Sequence, residues 1–334
     1  MTSRVRQGRG WGLGLALLCL SAPPLRGVAV AQAQVSAQAP APPTTVQGVT
    51  VQPEPTPHIA FNRALNFVQS HGAPTRSGQL ARWGDPVCVI TYGLPPDMDA
   101  FVTGRVETLV AKVGAPRRRS NRCKPNVEIL FTSEPQALMD AIARKRSALL
   151  GFHYVSQTRQ MAAMTHVVEA RYLTQTHDDN GHEALDIASG PMSGASLGAV
   201  TAPMDLATAG NMPGGCAGSA FTRCLTSSFS NVLIVVDGKA LDGRRIGPVA
   251  DYVAMLALSQ ARSLDGCEAL PSIIDLLSKA CADRPAPATW TDADIAYLQG
   301  LYKTSLETKF WVEKDSIANR MTAAPKPTGD AAAK

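Results

Sequence analysis

The sequence predicts an α+β domain: a mixed, mostly parallel sheet with helices, followed by a helical C-terminal part. Three observations predict it. Two short apolar runs bounded by Pro, Gly or Asn, "PVCVITYG" (86–93) and "NVEILFT" (126–132), are each followed by a segment of helical periodicity. Two further runs, "HVVEARYLTQT" (166–176) and "HEALDIA" (182–188), flank the turn "HDDNG", so antiparallel strands join the sheet there. Beyond "NVLIVVDG" (231–238), the most strongly apolar strand segment, every periodic stretch is helical.

In chain order, a helix is expected around Phe61–Ser70 before the first strand. Asp97 is placed to cap the next helix, whose apolar stripe is Val102, Val106, Leu109, Val110 and Val113. After the second strand, Ser133 and Gln136 have the spacing of a capping box for a helix carrying Leu138, Met139, Ile142, Leu149 and Leu150. Two strands joined through a helix should be parallel. A Gly-rich loop follows from about Ser189 to Thr222, and after the last strand helices are expected over 248–262, 271–281, 291–303 and 305–320.

The ends bound the function. Arg4, Arg6 and Arg9 precede an apolar stretch from Trp11 to Leu20, with small-residue cleavage signals near Ala31, the layout of a Sec-type signal peptide over 1–31. Leu18 before Cys19 is not the small residue a lipoprotein signal requires. Removal of that leader takes four arginines and no acid, so the formal charge falls from +5 to +1 and nucleic acid loses its support as a partner. No later segment is apolar for long enough to span a membrane. Residues 32–58, rich in Pro, Ala and Gln, form a disordered linker and 322–334 a disordered tail. The remainder, 59–321, is one domain of roughly 260 residues, periplasmic or secreted.

Six cysteines outlast the leader, and in an exported chain an even number points to disulfides. Sequential pairing is expected: Cys88 with Cys123, near the starts of two neighbouring strands; Cys216 with Cys224, closing a short loop; and Cys267 with Cys281, bracketing one helix. No two have the spacing of a zinc knuckle.

Residues 250–260, "ADYVAMLALSQ", carry the spacing of a zinc-protease helix without its ligands. The two metal-binding histidine positions fall on Ala250 and Ala254, the glutamate on Asp251 and the third histidine on Gln260. Downstream, "LPSIIDLL" (270–277) resembles the turn beneath the metal in metzincins, with Ile273 or Ile274 in place of methionine. "WTDADIAYLQGLY" (290–302) is similar to the last helix of matrixin-type catalytic domains, with Thr291 as cap and Asp294 three residues on. Over about 85–303 the chain thus resembles a degenerate zincin lacking every zinc ligand. The resemblance implies a zincin-like fold, a vestigial site at Ala250, Asp251, Ala254 and Gln260, no catalytic zinc or other cofactor, and a role in binding an extended peptide or envelope protein. A hydrolase with a different active site and a purely structural envelope protein are the alternatives.

Three other patterns compete. "GASLG" (194–198) has the Gly-x-Ser-x-Gly form of a nucleophile elbow with Ser196 as nucleophile, but no histidine follows it in the chain. His177, Asp178, Asp179 and His182 could ligate a divalent metal, though such turns are common without one. The basic run 117–124 reads as a solvated loop. Val249, Val253 and Leu256 are expected to face the core, and Asp251→Asn to be far milder than a charge at Val253.

Overall fold

The computed structural model describes residues 57–118, 123–178, 183–187 and 225–323. Five strands, β1 (Val89–Tyr92), β2 (Val127–Thr132), β3 (Val168–Asp178), β4 (Glu183–Leu185) and β5 (Leu225–Asp237), form one sheet of order β1-β2-β5-β3-β4. β1, β2 and β5 are mutually parallel, and β3 runs antiparallel to both β5 and β4. The expected α+β class with a mixed sheet therefore holds, as does the hairpin across "HDDNG".

Strand alternation divides the core in two. Val127, Ile129 and Phe131 on β2 and Val232, Ile234 and Val236 on β5 point to a large cluster that also contains α1 (Pro57–His71), α2 (Pro96–Val113), α5 (Ile246–Leu258), α6 (Asp292–Lys303) and α7 (Phe310–Thr322). Leu233 and Val235 point the other way, onto Met139 and Ile142 of α3 (Pro135–Lys145), Leu149 and Leu150, and Ala162 after the short α4 (Thr158–Met161). β5 is covered on both faces, which explains its unbroken apolar run. The sequence marked it only from Asn231; its polar first half, Leu225–Ser230, is recruited by pairing with β3.

Several local expectations are corrected. α1 starts at Pro57, inside the stretch read as linker. α2 starts at Pro96 with no side-chain cap, so Asp97 lies in its first turn, while Asp99 accepts from the Leu94 amide. α3 has Glu134 at its N-cap and no capping box, and Gln136 instead bonds Met164 and Ala162. In both cases a proline opens the helix; its missing N–H removes one of the donors a cap would serve. Gly93 ends β1 at φ +104°, where a Cβ would lie 1.9 Å from the Phe131 carbonyl oxygen, so only glycine fits this turn.

Residues 271–281 form no α-helix. They make two 3₁₀ turns, Ile273–Leu277 and Lys279–Cys281. Cys267 and Cys281, disulfide-bonded with Cα atoms 5.4 Å apart, bracket these turns. The Asp294 carboxylate also takes the Ile273 amide and the Ser272 hydroxyl. The capping box at Thr291 and Asp294 is present as expected.

The second expected disulfide, Cys88–Cys123, links the entries to adjacent β1 and β2. Two disulfides fit an exported protein, and no helix among the described residues is long and apolar enough to cross a membrane. Cys216 and Cys224 lie outside the described residues. Because Cys88–Cys123 closes a 35-residue separation, the chain-entropy argument predicts that the double serine variant loses about 3–4 kcal/mol of stability in urea melts.

The segment after α5 is also held by His166, whose Nδ1 and Nε2 lie 3.0 Å from Glu169 and 3.0 Å from Asp265. Burial works against the charged imidazole, but hydrogen bonds and charge from the two carboxylates outweigh it and raise the pKa above 6.5. The folded chain thus holds this proton more tightly than the unfolded one. The contribution is complete below the ordinary value and lost as pH rises through the folded one. His166→Gln should therefore lower Tm clearly at about pH 6 and much less at about pH 8.5, read by thermal melts of both proteins.

Candidate functional site

The helix with protease-like spacing, α5, is buried along nearly its whole length, and every residue from Val249 to Leu258 is buried. Burying a helix end strands carbonyls that water would otherwise satisfy. Here side chains replace the water. The Tyr172 hydroxyl donates to Leu256 O at 2.9 Å and Ser259 O at 3.1 Å, the Trp83 indole to Ala257 O at 2.9 Å, and the Tyr302 hydroxyl to Leu258 O at 2.8 Å. Burial pushes the pKa of both tyrosines up, so they remain donors.

Ala250 and Ala254 are fully buried in the large core cluster, facing packed side chains and offering no donor atom. Asp251, at the position of the protease glutamate, is fully engaged. Arg105 of α2 grips it with Nε on Oδ1 and Nη2 on Oδ2, both at 2.6 Å, and the Thr289 hydroxyl adds a third bond at 2.6 Å. The Arg105 guanidinium lies 4.2 Å from the Trp290 ring, whose indole N–H donates to Asp251 O. Asp251 is therefore a strut joining α2, α5 and the entry to α6. Asp251→Asn removes one arm of a bidentate, charge-assisted grip, a smaller loss than an unpaired buried carboxylate at Val253.

The third position, Gln260, differs from the others. It lines a cleft of about 360 Å³ together with Arg76, Phe152, Tyr172 and Thr174. The four positions with protease-like spacing are thus split, Ala250, Asp251 and Ala254 sealed in the core and Gln260 at the wall of a cleft. Zinc does not fit this set, since two members have no lone pair and the carboxylate is committed to a guanidinium.

The structure also assembles a constellation that the sequence did not reveal. His71 Nε2 lies 3.2 Å from Ser259 Oγ, and His71 Nδ1 lies 3.1 Å from Glu268 Oε1. The residue types match a serine–histidine–acid triad, but the arrangement does not suit catalysis. The Ser259 hydroxyl has a second acceptor, Met255 O at 3.1 Å, and no substrate can reach it. All three side chains are buried, and His71 is stacked on Phe67 with the edge of Tyr297 at 4.7 Å. These residues are a polar clamp between α1 and the segment after α5. No sequence signal could have found them, since the partners lie 188 and 197 residues apart.

The other sequence candidates fare as follows. Ser196, Asp179 and His182 lie outside the described residues. His177 is occupied, with Nε2 2.9 Å from Ser228 Oγ and Nδ1 3.4 Å from Glu183. Asp178 closes the β3 pairing opposite Leu225. In the basic run, Arg118 pairs with Glu107. Among the described residues, the one group spaced to hold a metal is Cys267, Asp275 and Cys281, and its two sulfurs are joined to each other.

Compared with known proteins, the chain matches no family model, no curated protein and no solved structure. Fold and site together define a disulfide-bonded α+β domain built around a buried helix, with a cleft at that helix's C-terminal end.

Asp251→Asn should lower stability by about 1.5–3 kcal/mol, and a double-mutant cycle with Arg105→Gln should show strong coupling. Val253→Asp should abolish folding, since an unpaired buried carboxylate costs several kcal/mol against a total of about 5–15. Urea melts followed by circular dichroism measure both.

Proposed function

We propose that this chain is a catalytically inactive, zincin-like domain of the cell envelope, exported by a Sec-type signal, that acts by binding an extended peptide or envelope protein. The single observation behind the reading is the state of α5. The helix keeps the protease spacing, yet Asp251 is spent on Arg105 and Thr289 while Ala250 and Ala254 serve packing. Such a helix supports architecture and activates no water.

Two features favour binding over a purely structural role. Gln260 and Tyr172 place the end of α5 at a cleft whose wall includes the Phe152 ring. β1 is an edge strand, and Tyr92 at its end is 54% exposed, so a peptide adding to that edge would find backbone partners and an aromatic contact.

Elemental analysis of tag-free protein prepared without chelator should find well under one zinc per chain, and peptidase assays should find no chelator-sensitive activity. Stoichiometric zinc lost together with peptidase activity on chelation would overturn the reading. A library of extended peptides should bind and protect the Val89 and Thr91 amides, which face away from β2, from hydrogen exchange; failure of every peptide to do so would favour the structural role.

A further inference from the structure

A cleft of about 790 Å³ lies between α3 and α4, on the sheet face opposite α5. Its walls carry Arg144, near the end of α3, and Arg159, on α4, with the hydroxyl of Ser156 between the two elements in sequence. Among the described residues no carboxylate pairs with either guanidinium. The neighbouring Arg146, by contrast, makes two bonds to Glu128 at 3.1 and 3.2 Å.

The absence of a pair at Arg144 is informative because a partner stands at the usual helical spacing. Asp140 lies one turn earlier and lines the same cleft, but its Oδ1 accepts from Gln136 at 2.8 Å. Gln136 is anchored in turn by the Ala162 carbonyl and the Met164 amide, which holds this side of the cleft in place. Thr158 is likewise occupied, by His153 and the Val155 carbonyl. Beside the Asp140 carboxylate, whose Oδ1 is taken by Gln136, the cleft offers two guanidiniums and the Ser156 hydroxyl, so cationic donors outnumber the single acid. Two cations facing one concavity repel each other, and a dianionic oxyanion between them removes that repulsion and uses both forks.

We propose that the cleft between α3 and α4 is a phosphoryl-binding site in which Arg144, Arg159 and Ser156 hold the oxyanion of a phosphate ester. Val155, 56% exposed beside Ser156, supplies apolar surface in the cleft wall for the organic part of the ester. A soluble phosphate ester and an anionic lipid headgroup present the same group. The site stands apart from α5 and does not depend on the zincin-like reading.

The test uses the full mature chain. Titration with glycerol 3-phosphate at low ionic strength should show saturable binding by calorimetry. Arg144→Gln and Arg159→Gln should each weaken it by about tenfold or more, with thermal melts unchanged because both side chains are exposed. Co-sedimentation with phosphatidylglycerol vesicles, set against phosphatidylcholine vesicles, distinguishes the sources. Vesicle binding that both substitutions abolish and glycerol 3-phosphate displaces identifies the headgroup, whereas binding of the soluble ester alone identifies a soluble ligand. The proposal is overturned if glycerol 3-phosphate does not bind, if binding survives both substitutions, or if acetate binds as tightly.

Discussion

The complete burial of α5 is the constraint on which the rest of the structure depends. A helix sunk in the core must be apolar on every side, and "VADYVAMLAL" very nearly is. It must also find partners for the carbonyls at its end, which no solvent reaches. Tyr172 from the sheet, Trp83 from the segment before β1 and Tyr302 from α6 meet that need, so three distant parts of the chain are fixed against one helix terminus. The one charge on the helix, Asp251, draws in Arg105 and Thr289 and so fixes α2 and the approach to α6.

The same economy of buried polar contacts extends outward. Asp294 holds the Ser272 hydroxyl and the amides of Ile273 and Thr291, stitching α6 to the turn that replaces the expected helix. Glu313 of α7 accepts from the Leu80 amide and from Arg82, which also donates to carbonyls at Leu301 and Ser305. Burial raises the pKa of both carboxylates, while the hydrogen bonds and the Arg82 charge pull the other way. Buried groups of this kind are costly if left half-satisfied, so they specify one arrangement of the C-terminal helices over others.

This arrangement bears directly on function. A protease helix needs one face open to water and substrate, and here every face is filled. Concave surface and open strand edge lie instead at the periphery: the cleft at Gln260, the β1 edge, and the cleft between α3 and α4. The buried Ser259, His71 and Glu268 show why residue type alone is a poor guide, because burial away from any substrate separates a clamp from a nucleophile.

By itself the sequence determined the α+β class, the three main strands, the "HDDNG" hairpin and the Thr291 cap, while the expected Cys88–Cys123 and Cys267–Cys281 pairs were one choice among fifteen connectivities that the structure settled. Each of the former is written in local periodicity, turn residues or spacing, and local signals survive without knowledge of partners. Only the tertiary structure decided the strand order, the fate of residues 271–281, and the roles of Asp251 and His71. Those depend on groups apart in the chain: an α6 carboxylate, Asp294, that takes the Ser272 hydroxyl and the Ile273 amide, and an arginine 146 residues from Asp251 that makes it a strut. The free energy that settles such choices is that of desolvated charge, which the order of residues along the chain does not display.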